Sequence, residues 1–116
     1  MKLSIVIPIY NSEKIIPTLI NSINANLKNL EDSFEIILVN DFSSDQSWNA
    51  IINLSKSYNY IKGINLKKNY GQHSAIFIGL KYCSGDKIIC MDDDMQHDPV
   101  YIKDLYNELN NGYDTC

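Results

Sequence analysis

The chain has 116 residues and a mass of 13.3 kDa, the size of one domain with a core of its own. Its 45% hydrophobic and 21% charged residues argue against disorder, and no apolar run approaches the roughly eighteen residues that cross a membrane. Ten lysines and no arginine stand against fourteen acids, a net charge of −4 that disfavours holding nucleic acid by charge alone and leaves no guanidinium fork for phosphate.

Short β-rich runs alternate with helical spacing along the whole chain. Leu3–Ile9 reads as a buried strand with no signal peptide before it, and Pro17 fits the first turn of a helix carrying Leu19, Ile20, Ile23 and Leu27. Phe34–Val39 is a second strand. Ser44 or Asp45 can cap a second helix that runs to about Tyr58. Ile61–Leu66 is a third strand, Ser74–Tyr82 a third helix, and Lys87–Met91 a fourth strand. Pro99 opens a fourth helix with Ile102, Leu105, Tyr106 and Leu109 on one face, closed by Gly112. Four β-α units predict a three-layer α-β-α, Rossmann-like, mostly parallel sheet in a single domain over 1–116. Cys83, Cys90 and Cys116 contain no CxxC pair and are expected to be reduced and structural, as in the cytoplasm.

Ligands of open α/β sheets bind beyond the carboxyl ends of the strands. Here those ends read Pro8-Ile9-Tyr10-Asn11, Asn40-Asp41 and Asp92-Asp93-Asp94-Met95-Gln96. Three adjacent carboxylates repel one another, so a cation that neutralises them is the natural reason to keep them; a solvated acidic turn is the plainer alternative. Asp92 and Asp94 share one side at spacing i, i+2, and Gln96 extends that register with a neutral oxygen. Such hard oxygen ligands suit Mg²⁺ or Mn²⁺. An EF-hand is excluded, because His97 and Lys103 stand where that loop needs Gly and Glu. Asp41 either caps the turn after its strand or accepts the imide N–H of a base; Tyr10 either stacks on that base or packs. Lys67 and Lys68 either meet a diphosphate or form an exposed basic loop. His73 and His97 lack the spacing of a metal pair.

Taken together, Ser4–Asn11, Glu35–Asp41, Asn69–Ile76 with Gly79, Gly85-Asp86, Met91–Gln96 and Gly112-Tyr113-Asp114 resemble family 2 glycosyltransferases of the GT-A fold. The branch that they resemble transfers sugars to polyprenyl or dolichyl phosphate. The resemblance covers essentially the whole chain, in order. It implies that Pro8, Tyr10, Asn11, Asp41 and Lys68 line the nucleotide pocket. It also implies that Asp92 and Asp94, with Gln96, hold the metal and the donor diphosphate and so carry the catalysis. Lys68 stands where the family commonly has Arg, Asn40 where it has the first of two aspartates, Phe42 where it has Gly, and Ser12 where it has Glu.

The implied reaction is inverting transfer from a nucleotide-sugar donor, UDP-linked by expectation, to a polyprenyl phosphate acceptor. An anionic acceptor oxygen needs no general base. The resemblance further implies that relatives continue beyond this point with the acceptor side of the site and, in many cases, membrane helices. The chain would then be the N-terminal, donor-binding half of a protein at the cytoplasmic face of the membrane, weakly active or inactive alone. A glycan-hydroxyl transferase of the same family, a nucleotidyltransferase and a non-catalytic nucleotide-binding domain are the alternatives. A dinucleotide-binding oxidoreductase fails for want of GxGxxG at Tyr10–Glu13. Receiver modules and haloacid-dehalogenase-like phosphatases put their acids on other strands.

Overall fold

The computed structural model describes residues 3–27, 34–85 and 87–91. Within them β1 (Leu3–Ile9), α1 (Ile16–Leu27), β2 (Phe34–Asn40), α2 (Ser47–Ser57), β3 (Ile61–Asn65), α3 (Gln72–Leu80) and β4 (Lys87–Cys90) follow in strict alternation. The strands form one sheet in the order β3-β2-β1-β4, and every pairing is parallel. This is the α/β architecture expected. The expected helix after Pro99 lies outside the described residues.

The alternation of each strand decides which helix it meets. Leu3, Ile5, Ile7 and Ile9 of β1 and Ile36 and Leu38 of β2 face α1, where Ile16, Leu19, Ile20, Ile23 and Leu27 are buried, and α2, which contributes Ile51. Val6, Ile37 and Val39 face the other way, toward Ala75 and Ile78 of α3. Helices α1 and α2 therefore cover one face and α3 the other. That placement follows from right-handed crossovers: β1 to β3 advances in one direction along the sheet, and the step from β3 to β4 returns past β1. The crevice where the order reverses lies between β1 and β4.

Helix α3 approaches the sheet closely at Gly79, where an added Cβ would lie 2.6 Å from Val6 Cγ1 and 3.0 Å from Val39 Cγ2. Its two ends are tied to β2 by carboxylates. At the amino edge Glu35, only 1% exposed, accepts the Ser4 hydroxyl at 2.6 Å, the Ser84 N–H at 2.7 Å and the Ser84 hydroxyl at 3.0 Å. Lys62 Nζ stands 2.9 Å from its other oxygen. The Gly85 N–H donates to Ser4 Oγ at 2.8 Å, completing the knot. Burial works against the charge on Glu35, but the Ser4 hydroxyl, the Ser84 N–H, Lys62 and the Ser84 hydroxyl outweigh it and hold the carboxyl at about 2, below its usual 4.5.

Boundaries depart from expectation by one or two residues. Helix α2 starts at Ser47 behind Gln46, whose side chain makes no cap; Asp45 Oδ1 instead accepts the Ser47 N–H at 2.9 Å. Helix α3 starts at Gln72 rather than Ser74. Cys83 is a free thiol that burial, its largest influence, pushes up, which fits a structural role. Cys90, in contrast, is disulfide-bonded, so the expectation of three reduced cysteines does not hold. Among the described residues no helix is long and apolar enough to cross a membrane.

Candidate functional site at the carboxyl edge of the sheet

Among the described residues three loops leave the carboxyl edge, and polar side chains lace them together. The strand ladder continues one step past β2, with the Asp41 N–H donating to Ile9 O at 2.8 Å. The Asp41 side chain then turns toward the α3 face, as Glu35 does six positions earlier on the same strand alternation. Its two oxygens accept the backbone N–H groups of Tyr70 at 2.7 Å and Gly71 at 2.9 Å. Asp41 is 4% exposed. It thereby fastens the loop after β3 to the end of β2 and sets the entry of α3, a task neither sequence expectation assigned to it. A carboxylate has about four acceptor sites, so these two bonds do not exhaust it.

Asn11 is locked from both sides. Its N–H donates to Ser43 Oγ at 3.0 Å, and its Oδ1 accepts the Ser44 N–H at 2.8 Å. Ser43 donates in turn to Asn40 Oδ1, and Asn40 Nδ2 donates to Asn65 Oδ1 at 2.8 Å across the β2–β3 register pair. The amide at position 40 thus both accepts and donates in linking the loop after β2 to β3. Ser12 is 6% exposed; its N–H donates to Ser47 Oγ at 2.8 Å and its hydroxyl to Tyr10 O at 3.0 Å. Asp45 Oδ2 accepts the Glu13 N–H at 3.2 Å. Burial opposes the charge on Asp45, but the Ser47 hydroxyl and the N–H groups of Ser47 and Glu13 outweigh it and lower its pKa.

Pro8 shapes the crevice. The β1–β4 ladder reaches Met91, whose N–H donates to Val6 O at 3.1 Å. Carrying it one rung further would require an N–H on Pro8, which has none, so that rung cannot form. The strand order reverses at the same point.

Of the residues expected in the pocket, Pro8, Tyr10, Asn11, Asp41 and Lys68 therefore all lie on or beside this edge. Tyr10 is 52% exposed and Lys68 is exposed. Asp92, Asp94 and Gln96 lie outside the described residues, among which no group of three His, Cys, Asp or Glu could hold a metal. A cavity of about 360 Å³ opens beside the β1–α1 turn, lined by Asn11, Ser12, Glu13, Lys14, Ile15 and Asp45. It shares only Asn11 with the expected pocket. The sequence marks Asn40 as a strand-end residue but does not reveal the lacing of Asn40, Ser43 and Asn65, because the links that join separate loops span 25 to 32 residues.

A parallel sheet in this order, with its polar loops gathered at the carboxyl edge, is the fold of GT-A glycosyltransferases. S. aureus TarS (residues 1–349) superposes with a TM-score of 0.77 at 29% identity, over 96% of this chain and 33% of that one. The Mycobacterium tuberculosis glucosyl-3-phosphoglycerate synthase crystallised with Mn²⁺, UDP and glucosyl-3-phosphoglycerate superposes at 0.72 and 23% identity, over 93% of this chain and 39% of that one, a likeness of fold. Residues 4–116 match Glycosyl transferase family 2, and the chain belongs to that family. It is 44% identical over 114 residues to the undecaprenyl-phosphate 4-deoxy-4-formamido-L-arabinose transferase of Photorhabdus laumondii, covering 97% of this chain and 35% of that protein. The chain thus spans about a third of the length of these relatives.

Proposed function

We propose that this chain binds the nucleoside-diphosphate part of a sugar donor, UDP-linked, and that the whole protein transfers the sugar with inversion to polyprenyl phosphate at the cytoplasmic membrane face. The observation that carries the reading is the 44% identity, over 97% of the chain, to a transferase named for undecaprenyl phosphate. The donor assignment is supported by S. aureus TarS, 28–29% identical, which has been solved with UDP and with UDP-GlcNAc.

In this reading Tyr10 stacks on the base, and Asn11, fixed through Ser43 and Ser44, keeps the loop after β1 against the loop after β2. Asp41 holds the Tyr70–Gly71 backbone and offers its remaining acceptor capacity to the imide N–H of the base. Lys68, on that same tethered loop, meets the diphosphate as a point charge. Asp92, Asp94 and Gln96 supply an all-oxygen donor set that fits Mg²⁺ or Mn²⁺. When bound, such an ion would neutralise charge on the diphosphate leaving group. The acceptor phosphate is anionic near neutral pH, so the chain need not supply a base.

The test is transfer from labelled UDP-sugars to polyprenyl phosphate by the full-length protein. Glycosylated lipid phosphate is expected, and both chelation and Asp94→Ala are expected to abolish it. Transfer to a glycan hydroxyl but not to the lipid phosphate, or undiminished turnover by Asp94→Ala, would contradict the reading.

A further inference from the structure

Each of the three described loops at the carboxyl edge contains one residue with left-handed backbone: Asn11 (φ 50°) after β1, Phe42 (φ 58°) after β2 and Gly71 (φ 92°) after β3. Asn and Gly are the residue types that accept this conformation; a bulky aromatic is not, because its Cβ crowds the backbone. The conformation at Phe42 is imposed from both sides. Asp41 is fixed by its ladder bond to Ile9 and by the N–H groups of Tyr70 and Gly71, while Ser43 is fixed by Asn11 and Asn40. The loop therefore demands a left-handed residue at 42, yet the chain puts there one that resists it.

Among the described residues the ring gains nothing visible in return. Phe42 is 58% exposed and belongs to neither hydrophobic cluster of the described residues. An exposed aromatic on a strained backbone lowers stability twice over, and strain of this kind persists where the surroundings enforce it and function uses it. Its surroundings are those of the proposed pocket. It directly follows Asp41, whose carboxylate holds the backbone of Tyr70, a second aromatic with 52% exposure; Tyr10, also 52% exposed, ends the neighbouring strand.

We propose that Phe42 is a donor-binding residue whose ring offers a stacking face to the base of the nucleotide donor. This rests on the reading that the carboxyl edge binds a nucleoside diphosphate. Its chemistry requires only a flat π-surface, which pyrimidine and purine both present.

The experiment is calorimetric titration of the full-length protein with UDP and, separately, GDP in the presence of Mn²⁺, together with thermal unfolding. Wild type is compared with Phe42→Asn, Phe42→Gly and Phe42→Tyr. Asn and Gly satisfy the backbone and remove the ring, so affinity for the bound nucleotide should fall on the order of tenfold while the melting temperature holds or rises. Phe42→Tyr should restore affinity. Unchanged affinity in the Asn and Gly variants would overturn the proposal, and so would a lowered melting temperature in both, which would make the ring a packing residue. A wild type that binds neither nucleotide would overturn this proposal and the donor-binding reading together.

Discussion

Strand β2 carries a buried carboxylate at each end, and the two do opposite things. Glu35 at the amino edge is enclosed by Ser4, Ser84 and Lys62, and its bonds close a knot on the fold itself. Asp41 at the carboxyl edge spends its bonds on the backbone of a loop that bears exposed Tyr70 and Lys68. Helix α3 runs between them: the strand from Glu35 to Asp41 and the chain from Gly71 to Ser84 each span roughly 20 Å, so one strand can pin both ends of one helix. A buried acid is thus not by itself a sign of chemistry. What matters is whether its partners face inward or hold something out to solvent.

Breaking the inward end should have the largest effect. Glu35→Gln takes the charge from a carboxyl that accepts three hydrogen bonds, and the depression of that carboxyl from 4.5 to about 2 corresponds to about 3 kcal/mol. Glu35→Gln should therefore lower stability by about that much in chemical denaturation of the full-length protein. The sign of the pH dependence follows from the lowered value. The Glu35 contribution is complete above 4.5 and is lost as pH falls toward 2, so wild-type stability should drop through that window, and Glu35→Gln should lack that component of the slope.

Pressing on the helix between the two anchors should come next. Gly79→Ala forces a methyl group against Val6 and Val39, and overpacking of this kind costs about 1–3 kcal/mol. A melting temperature unchanged by that substitution would mean that α3 is less closely seated than the structure shows. At the outward end, Asp41→Asn turns one acceptor into a donor facing an N–H group, for about 1–2 kcal/mol. Hydrogen exchange sharpens the point: the Tyr70 and Gly71 amides should lose protection in Asp41→Asn, while the Ser84 amide keeps its own. The smallest effect belongs to Lys62→Ala, because the Lys62 side chain is 50% exposed and its pair is screened by solvent; less than about 1 kcal/mol is expected in a thermal melt.

How far the sequence reveals these features depends on the range of the interaction. Strands β1 to β4 and helices α1 to α3 emerge from periodicity to within two residues, since alternation and helical spacing are local. The Pro8 position at a strand end and the gathering of Tyr10, Asn11, Asp41 and Lys68 at one edge follow once the sheet is known to be parallel. The task of Asp41 does not, because its donors lie 29 and 30 residues away and local reasoning favours the adjacent turn. The Glu35 knot is equally hidden, with partners 31 and 49 residues away. One signal was legible: Glu35, Ile37, Val39 and Asp41 share a parity, which puts both acids on the face that α3 covers. Phe42 in place of the family's Gly was a second, since a glycine at such a position signals positive φ.

The division of labour along β2 is tested most directly by titrating UDP with Mn²⁺ into full-length wild type, Glu35→Gln and Asp41→Asn under conditions where all three are folded. Asp41→Asn should bind on the order of tenfold more weakly, and Glu35→Gln should match wild type. Equal affinities in all three, or a loss confined to Glu35→Gln, would contradict the account.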